Sequence, residues 1–204
     1  MPAVTGDHYF STQPSAAGHR REIDFSLGGR DYSLVSSSGV FSANRLDLGT
    51  SVLLRKAELP GPDTDGPLLD LGCGYGPIAC VLAATVLRAT VWAIDVNTRA
   101  RELTEENAAR IGAADRVRVV APDEVPDGIT FAQIWSNPPI RIGKAELHDM
   151  LGRWLARLAP DGVAWLVVAR HLGGDSLHRW LTDAGWQVER RASQKGFRVF
   201  RVSR

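Results

Sequence analysis

A doubly wound α/β sheet is the fold class predicted by this 204-residue sequence, on three observations. From Pro67 to Ala184 short apolar runs alternate with stretches of helical period, the pattern of a parallel sheet covered on both faces. A glycine-rich turn, DLGCGYGP (70–77), closes the first of those runs, where such sheets bind nucleotides. The last two runs, WQVERRAS and GFRVFRVS, are only a few residues apart. A parallel crossover needs about a dozen residues or more, so they predict a terminal antiparallel hairpin.

The elements follow in order. EIDFSL (22–27) and RDYSLV (30–35) alternate apolar and polar side chains around Gly28-Gly29, a two-residue hairpin turn. SSSGVFSANR reads as a loop. Leu46, Leu48, Val52, Leu53 and Ala57 then give a helical period that ends in the breaker LPGPDTDGP. Residues 1–60 are therefore expected as an N-terminal extension of hairpin and helix, and 61–204 as the main domain. Within the latter, strands are expected at PLLDL, 90–95, 117–120, 129–135 and 162–169, and helices at 77–88, 98–111, 144–159 and 175–184.

Composition sets limits. With 44% hydrophobic and 23% charged residues, the chain fits one globular domain with a small addition. No signal peptide or bilayer-spanning run is visible, so a cytoplasmic protein is expected, with no membrane partner. Five histidines (His8, His19, His148, His171, His178) and two cysteines (Cys73, Cys80) lack metal spacing, so no metal is expected. A net charge of +1 excludes binding of nucleic acid by bulk field, although residues 190–204 carry five arginines and Lys195 without an acid. That run suits either phosphate contacts or a charged edge strand. Nothing in the sequence speaks to oligomeric state.

Three segments carry chemistry. Gly72, Gly74 and Gly76 permit a tight turn and close approach of a ligand to backbone. Asp70 stands where nicotinamide sites usually have an apolar residue, and its carboxylate suits a cationic amino-acid moiety. Asp95 closes the next strand about 20 residues on, where an acid takes both ribose hydroxyls; a helix cap before Thr98 is its other reading. Asp123 closes the third strand, as an acceptor for an adenine amine or as a turn residue. In IWSNPPIRIGK (134–144), two prolines without amide hydrogens must stop the strand at Ser136 or Asn137 and leave a stiff loop.

In that order and spacing, DLGCGYGP, AIDVN and SNPPIRIGK resemble class I S-adenosylmethionine-dependent methyltransferases of the small-domain type, the group of the ribosomal RNA guanine-N2 methyltransferases of the small subunit. GVFSANRLDLGTSVLL (39–54) resembles their lead-in, so the likeness covers roughly residues 39–170. It implies a seven-stranded Rossmann-like methyltransferase sheet, S-adenosylmethionine as methyl donor, and ribosomal RNA or a ribosomal subunit as partner. Phe41 and Asp47 would cover the cofactor or its pocket, alongside Asp70, Gly72, Gly74, Gly76, Asp95, Asp123 and Asn137; read from the residues alone, Phe41 is equally a loop aromatic and Asp47 a helix cap. Pro139, Ile140 and Arg141 would face the substrate.

Asn-Pro-Pro suits transfer to a conjugated amine. The lone pair of such a nitrogen is delocalised into its ring. Acceptors from the Asn137 side chain and the Pro138 carbonyl can each take one amine hydrogen and favour an sp³-like nitrogen aimed at the methyl group. Pro139 confines Pro138 to extended backbone, which fixes the carbonyl direction. Related enzymes commonly carry Phe or Tyr after the second proline; here Ile140 stands there, and Arg141 is the nearest flat group. A glutamine amide of a protein, adenine N6 and a ring nitrogen are alternative acceptors, and a cofactor-binding module without catalysis is the alternative from another class.

Overall fold

The computed structural model describes residues 19–204 apart from the side chain of Arg141; residues 1–18, including His8 and the start of the extension, lie outside the described residues. The N-terminal hairpin pairs β1 (Arg20–Leu27) with β2 (Arg30–Ser37) through the Gly28-Gly29 turn, in register from Leu27↔Arg30 to Arg20↔Ser37. Both glycines have positive φ, as the two-residue turn requires. α1 (Leu48–Lys56) follows, capped by Asp47, whose side chain accepts from Thr50 N.

The main sheet contains β3 (Leu68–Leu71), β4 (Val91–Ile94), β5 (Val117–Val120), β6 (Phe131–Ser136), β7 (Leu158–Ala169), β8 (Gln187–Gln194) and β9 (Phe197–Ser203). Their order is β5-β4-β3-β6-β7-β9-β8, parallel except for β9, which runs against both of its neighbours. The chain winds outward from β3 to β5 and then returns to place β6 on the other side of β3. The topological switch point therefore lies between β3 and β6, where sheets of this kind open a crevice at their carboxyl ends.

Strand residues alternate between two hydrophobic layers. Leu68, Trp135, Trp165 and Val199 pack with α1, α2 (Pro77–Thr85) and α3 (Thr98–Arg110), and the hairpin contributes Tyr32 and Leu34 to the same cluster. Leu69, Leu71, Ile134, Leu166 and Phe200 pack on the opposite face with α4 (Lys144–Leu155) and α5 (Gly174–Asp183). No helix of the described residues is long and apolar enough to cross a membrane.

The boundaries depart from the sequence reading mainly around α4, which ends at Leu155 rather than 159, while β7 begins at Leu158 rather than 162. Leu158 already pairs with Phe131, and the regular ladder resumes only at Gln133↔Val163, leaving Pro160 inside an irregularity where its missing amide costs no ladder bond. α2 also stops early, at Thr85 rather than 88, where Val86 turns to extended backbone.

Candidate active site

The glycine loop leaves β3 at the switch point. Gly72, Gly74 and Gly76 all have positive φ, but they face different surroundings. A Cβ added at Gly72 or Gly74 would meet nothing within 4 Å, so open space adjoins their backbone; at Gly76 it would stand 2.8 Å from Thr104, so that glycine lets α2 pack against α3. Thr104 Oγ1 also donates to the Gly74 carbonyl (3.0 Å), and buried Asn107 Nδ2 donates to the carbonyls of Tyr75 and Val35. The loop is thus held from beneath by α3 and tied to the hairpin.

Asp70, at the end of β3, is fully buried. Its Oδ2 accepts from Ala79 N (2.9 Å) in the first turn of α2, and its Oδ1 has no partner among the described residues. Burial, reinforced by the charge of Asp95, pushes its carboxyl up to about 8 despite the Ala79 bond. Asp95 follows β4. Its Oδ2 accepts from Gly74 N (3.0 Å) and its Oδ1 from Asn97 N (2.9 Å). Burial raises this carboxyl too, and those amide bonds with the nearby Arg101 guanidinium restrain the shift. The helix-cap role belongs to Asn97, whose side chain accepts from Ala100 N; each oxygen of Asp95 therefore keeps a lone pair for a further donor.

Asp123 lies in an exposed turn beyond β5, and no hydrogen bond holds its side chain among the described residues. Phe41 is exposed in the loop that joins the hairpin to α1. That loop is fastened to the Asp95 side of the crevice: Asn97 Nδ2 donates to the Gly39 carbonyl (2.9 Å) and Arg99 to that of Ser38 (3.0 Å).

Across the switch point, β6 stops at Ser136, whose buried hydroxyl donates to the Leu71 carbonyl (2.7 Å) and ties the acceptor loop to the end of β3. Asn137 Nδ2 donates to Asp47 Oδ2 (2.7 Å) and to Thr50 Oγ1 (3.0 Å). Because a carboxylate only accepts, the atom beside Asp47 must be the amide nitrogen, and Oδ1 is left as an acceptor that no described donor reaches. The Pro138 carbonyl accepts from Ile140 N (2.9 Å) around Pro139, whose φ of −74° and ψ of 76° make an inverse γ-turn. Its direction is thus fixed by the turn as well as by the two rings, with one lone pair remaining. The half-buried Ile140 packs against the α4 side of the core; the side chain of Arg141, the flat group considered beside it, lies outside the described residues.

The rim of this crevice is apolar and basic. Phe41, Leu48, Val96 and Leu172, exposed between 39% and 47%, all belong to segments at the carboxyl edge. Arg45, Lys144, Arg170 and Lys195 stand on the same edge, exposed and without an ion pair among the described residues. The arginine run of 190–204 is less free than its sequence suggests. Arg191 pairs with Glu58 and Glu189, Arg198 pairs with Asp175, and Arg204 donates to the carbonyls of Ala156 and Leu158. Two open hollows of about 540 and 710 Å³ lie at the opposite, amino-terminal edge, lined by Glu58, Asp65 and Arg201 and by Arg88, Trp92 and Arg118. None of the crevice groups lines them, and the carboxyl-edge constellation is the better candidate on its chemistry. Among the described residues no histidine, cysteine and carboxylate cluster suits a metal ion.

Sequence reasoning missed Thr50, Ser136, Thr104 and Asn107, all polar and buried. Only the spacing of Asp47 and Thr50 as a capping pair was available as a signal, and it says nothing of Asn137.

The chain as a whole has relatives among known proteins. A family model described as Methyltransferase small domain matches residues 31–201. The uncharacterized protein YbxB of Bacillus subtilis (strain 168) is 34% identical over 97% of this chain and 98% of its own. Ribosomal RNA small subunit methyltransferase C of Alcanivorax borkumensis is 32% identical over 84% of this chain, which spans only 52% of that protein. Among solved structures, the 16S rRNA N2 methyltransferase of T. thermophilus in complex with AdoMet and guanosine superposes with a TM-score of 0.72 at 22% identity, over 94% of this chain and 52% of that one. At that identity the likeness speaks for the fold.

Proposed function

The chain belongs to the methyltransferase small domain family, and from that premise we propose that it transfers the methyl group of S-adenosylmethionine to an exocyclic amino nitrogen, guanine N2 of small-subunit ribosomal RNA. The residues present fit such a cofactor: Gly72 and Gly74 border open space, Asp95 keeps a lone pair on each oxygen for ribose hydroxyls, and the unpartnered Asp70 Oδ1 suits a cationic amine. When bound, the cofactor supplies an electrophilic methyl on sulfur. Phe41 would cover it, and Asp123 would accept from its adenine amine.

The observation that carries the reading is the Asn137 amide. With Nδ2 held by Asp47 and Thr50, Oδ1 is left as a free acceptor, and the Pro138 carbonyl follows it directly in the chain. In the proposed reaction these two acceptors take the two hydrogens of an NH₂ group and direct its lone pair away from the ring, which lowers the barrier by positioning and charge stabilisation. No strong base is required, because the amine proton becomes acidic only once the methyl has arrived. Ile140 and Pro139 give the flat substrate an aliphatic wall in place of an aromatic one.

RNA as the partner is supported by the rim, where exposed apolar side chains for unstacked bases lie among Arg45, Arg170 and Lys195 for phosphates. The target nucleotide must leave its stack to reach the crevice. The test is transfer of labelled methyl from S-adenosylmethionine to small ribosomal subunits, free ribosomal RNA, transfer RNA and release factor, all taken from cells lacking this gene. Label in the small subunit or its RNA is expected. Label confined to release factor would replace the reading with glutamine methylation, and cofactor binding without label anywhere would replace it with a non-catalytic module.

A further inference from the structure

We infer that Asp47, assisted by Thr50, is a positioning residue for the catalytic amide of Asn137, so that the start of α1 forms part of the acceptor site. The inference rests on the proposed amino-nitrogen chemistry and deepens it.

Asp47 and Asn137 are 90 residues apart, yet Asp47 Oδ2 accepts both the Asn137 amide (2.7 Å) and the Thr50 backbone amide (2.9 Å). A single oxygen thus caps α1 and sets the rotation of the catalytic side chain. Without it, the two ends of the Asn137 amide would compete for the same space, and a flipped amide would offer a donor where the substrate amine needs an acceptor. Thr50 Oγ1 reinforces the choice as a second acceptor on Nδ2.

The surroundings keep Asp47 in place. A Cβ at Gly49 would stand 2.9 Å from Asp47 Oδ2 and 2.8 Å from the ring of Phe197, so the glycine leaves room both for the carboxylate and for close seating of α1 on β9. At the other end of the same loop, the Gly39 carbonyl is held by Asn97, next to Asp95. The segment from Gly39 to Asp47 therefore straps the crevice, with one end bonded on the cofactor side and the other on the acceptor side.

Capping and positioning can be separated by side-chain length. In Asp47→Ser the hydroxyl still accepts the Thr50 amide, since serine caps as well as aspartate, but it is too short to hold Asn137 as well. Turnover is expected to fall about ten- to a hundredfold, while the melting temperature, the acceptor KM and the affinity for S-adenosylmethionine stay close to wild type. Asp47→Asn keeps an oxygen able to take both amides, and its turnover should stand at least about fivefold above that of the serine variant.

The second readout needs no acceptor substrate. In a ¹⁵N spectrum the Asn137 side-chain amide should be slow to exchange in wild type and Asp47→Asn, and fast in Asp47→Ser. Unchanged turnover in Asp47→Ser, or an Asn137 amide as protected there as in wild type, overturns the inference. A wild-type protein that methylates no acceptor defeats the proposed function instead, and the amide exchange still decides the role of Asp47.

Discussion

The two sides of the switch point are built differently. The cofactor side is mostly contiguous: Gly72 to Gly76, Asp95 and Asn97 sit in two short loops, bonds from backbone amides to the Asp95 carboxylate line them, and Thr104 and Asn107 of α3 brace them from beneath. The acceptor side is assembled at long range, with Asn137 held by Asp47 and Thr50 and its loop tied to β3 by Ser136. Binding of a common cofactor can be encoded in a contiguous motif. Orienting one amide for a reaction needs partners from elsewhere in the fold.

That contrast can be broken from either side, and the largest effect is expected at Asn137. Asn137→Ala removes an acceptor used mainly in the transition state, so turnover should fall about 10²- to 10³-fold while calorimetry gives a nearly unchanged affinity for S-adenosylmethionine. On the cofactor side the pattern should invert. Asp95→Ala should weaken S-adenosylmethionine binding about 10- to 100-fold by the loss of charged hydrogen bonds, with a smaller loss of turnover at saturation.

Asp70 sharpens the comparison through pH. Its carboxyl is held near 8 by burial in the folded protein against an ordinary value near 3.8, so the folded chain keeps a proton that the unfolded chain has released between those limits. Stability of the free protein should therefore decline as pH rises through that window, with a slope of roughly 1.4 kcal/mol per pH unit at most. Asp95, shifted the same way, adds to it. Denaturant melts of Asp70→Asn should show a flatter profile, because the amide has no proton to lose. The smallest effects belong to the rim: Arg170→Ala or Lys195→Ala should weaken RNA binding a few-fold and lower the salt slope by about one each.

Much of the cofactor side was legible in the sequence. Strand, glycine turn, helix and the acid after β4 follow one another along the chain, and the sheet follows from alternating periods. Ser136 marks the end of β6, within the bound set by the two prolines. The partners of Asn137 were not legible, because Asp47 and Thr50 read locally as a helix cap, which they also are. The partners of the arginines after Arg190 were hidden for the same reason. Glu189 is the one acid beside them in sequence, whereas Glu58 and Asp175 reach them only through the fold. The α4–β7 boundary was shifted because the residues around Pro160 pair irregularly rather than ending a helix.

The most direct test of the account is the identity of the methylated atom. Small-subunit ribosomal RNA from cells lacking this gene should be treated with the protein and deuteriomethyl-labelled S-adenosylmethionine, digested to nucleosides and resolved by mass. The account predicts heavy N2-methylguanosine, absent when Asn137→Ala replaces the wild type. Heavy label on a ring nitrogen, on ribose, or equally abundant with the Asn137 variant would contradict it.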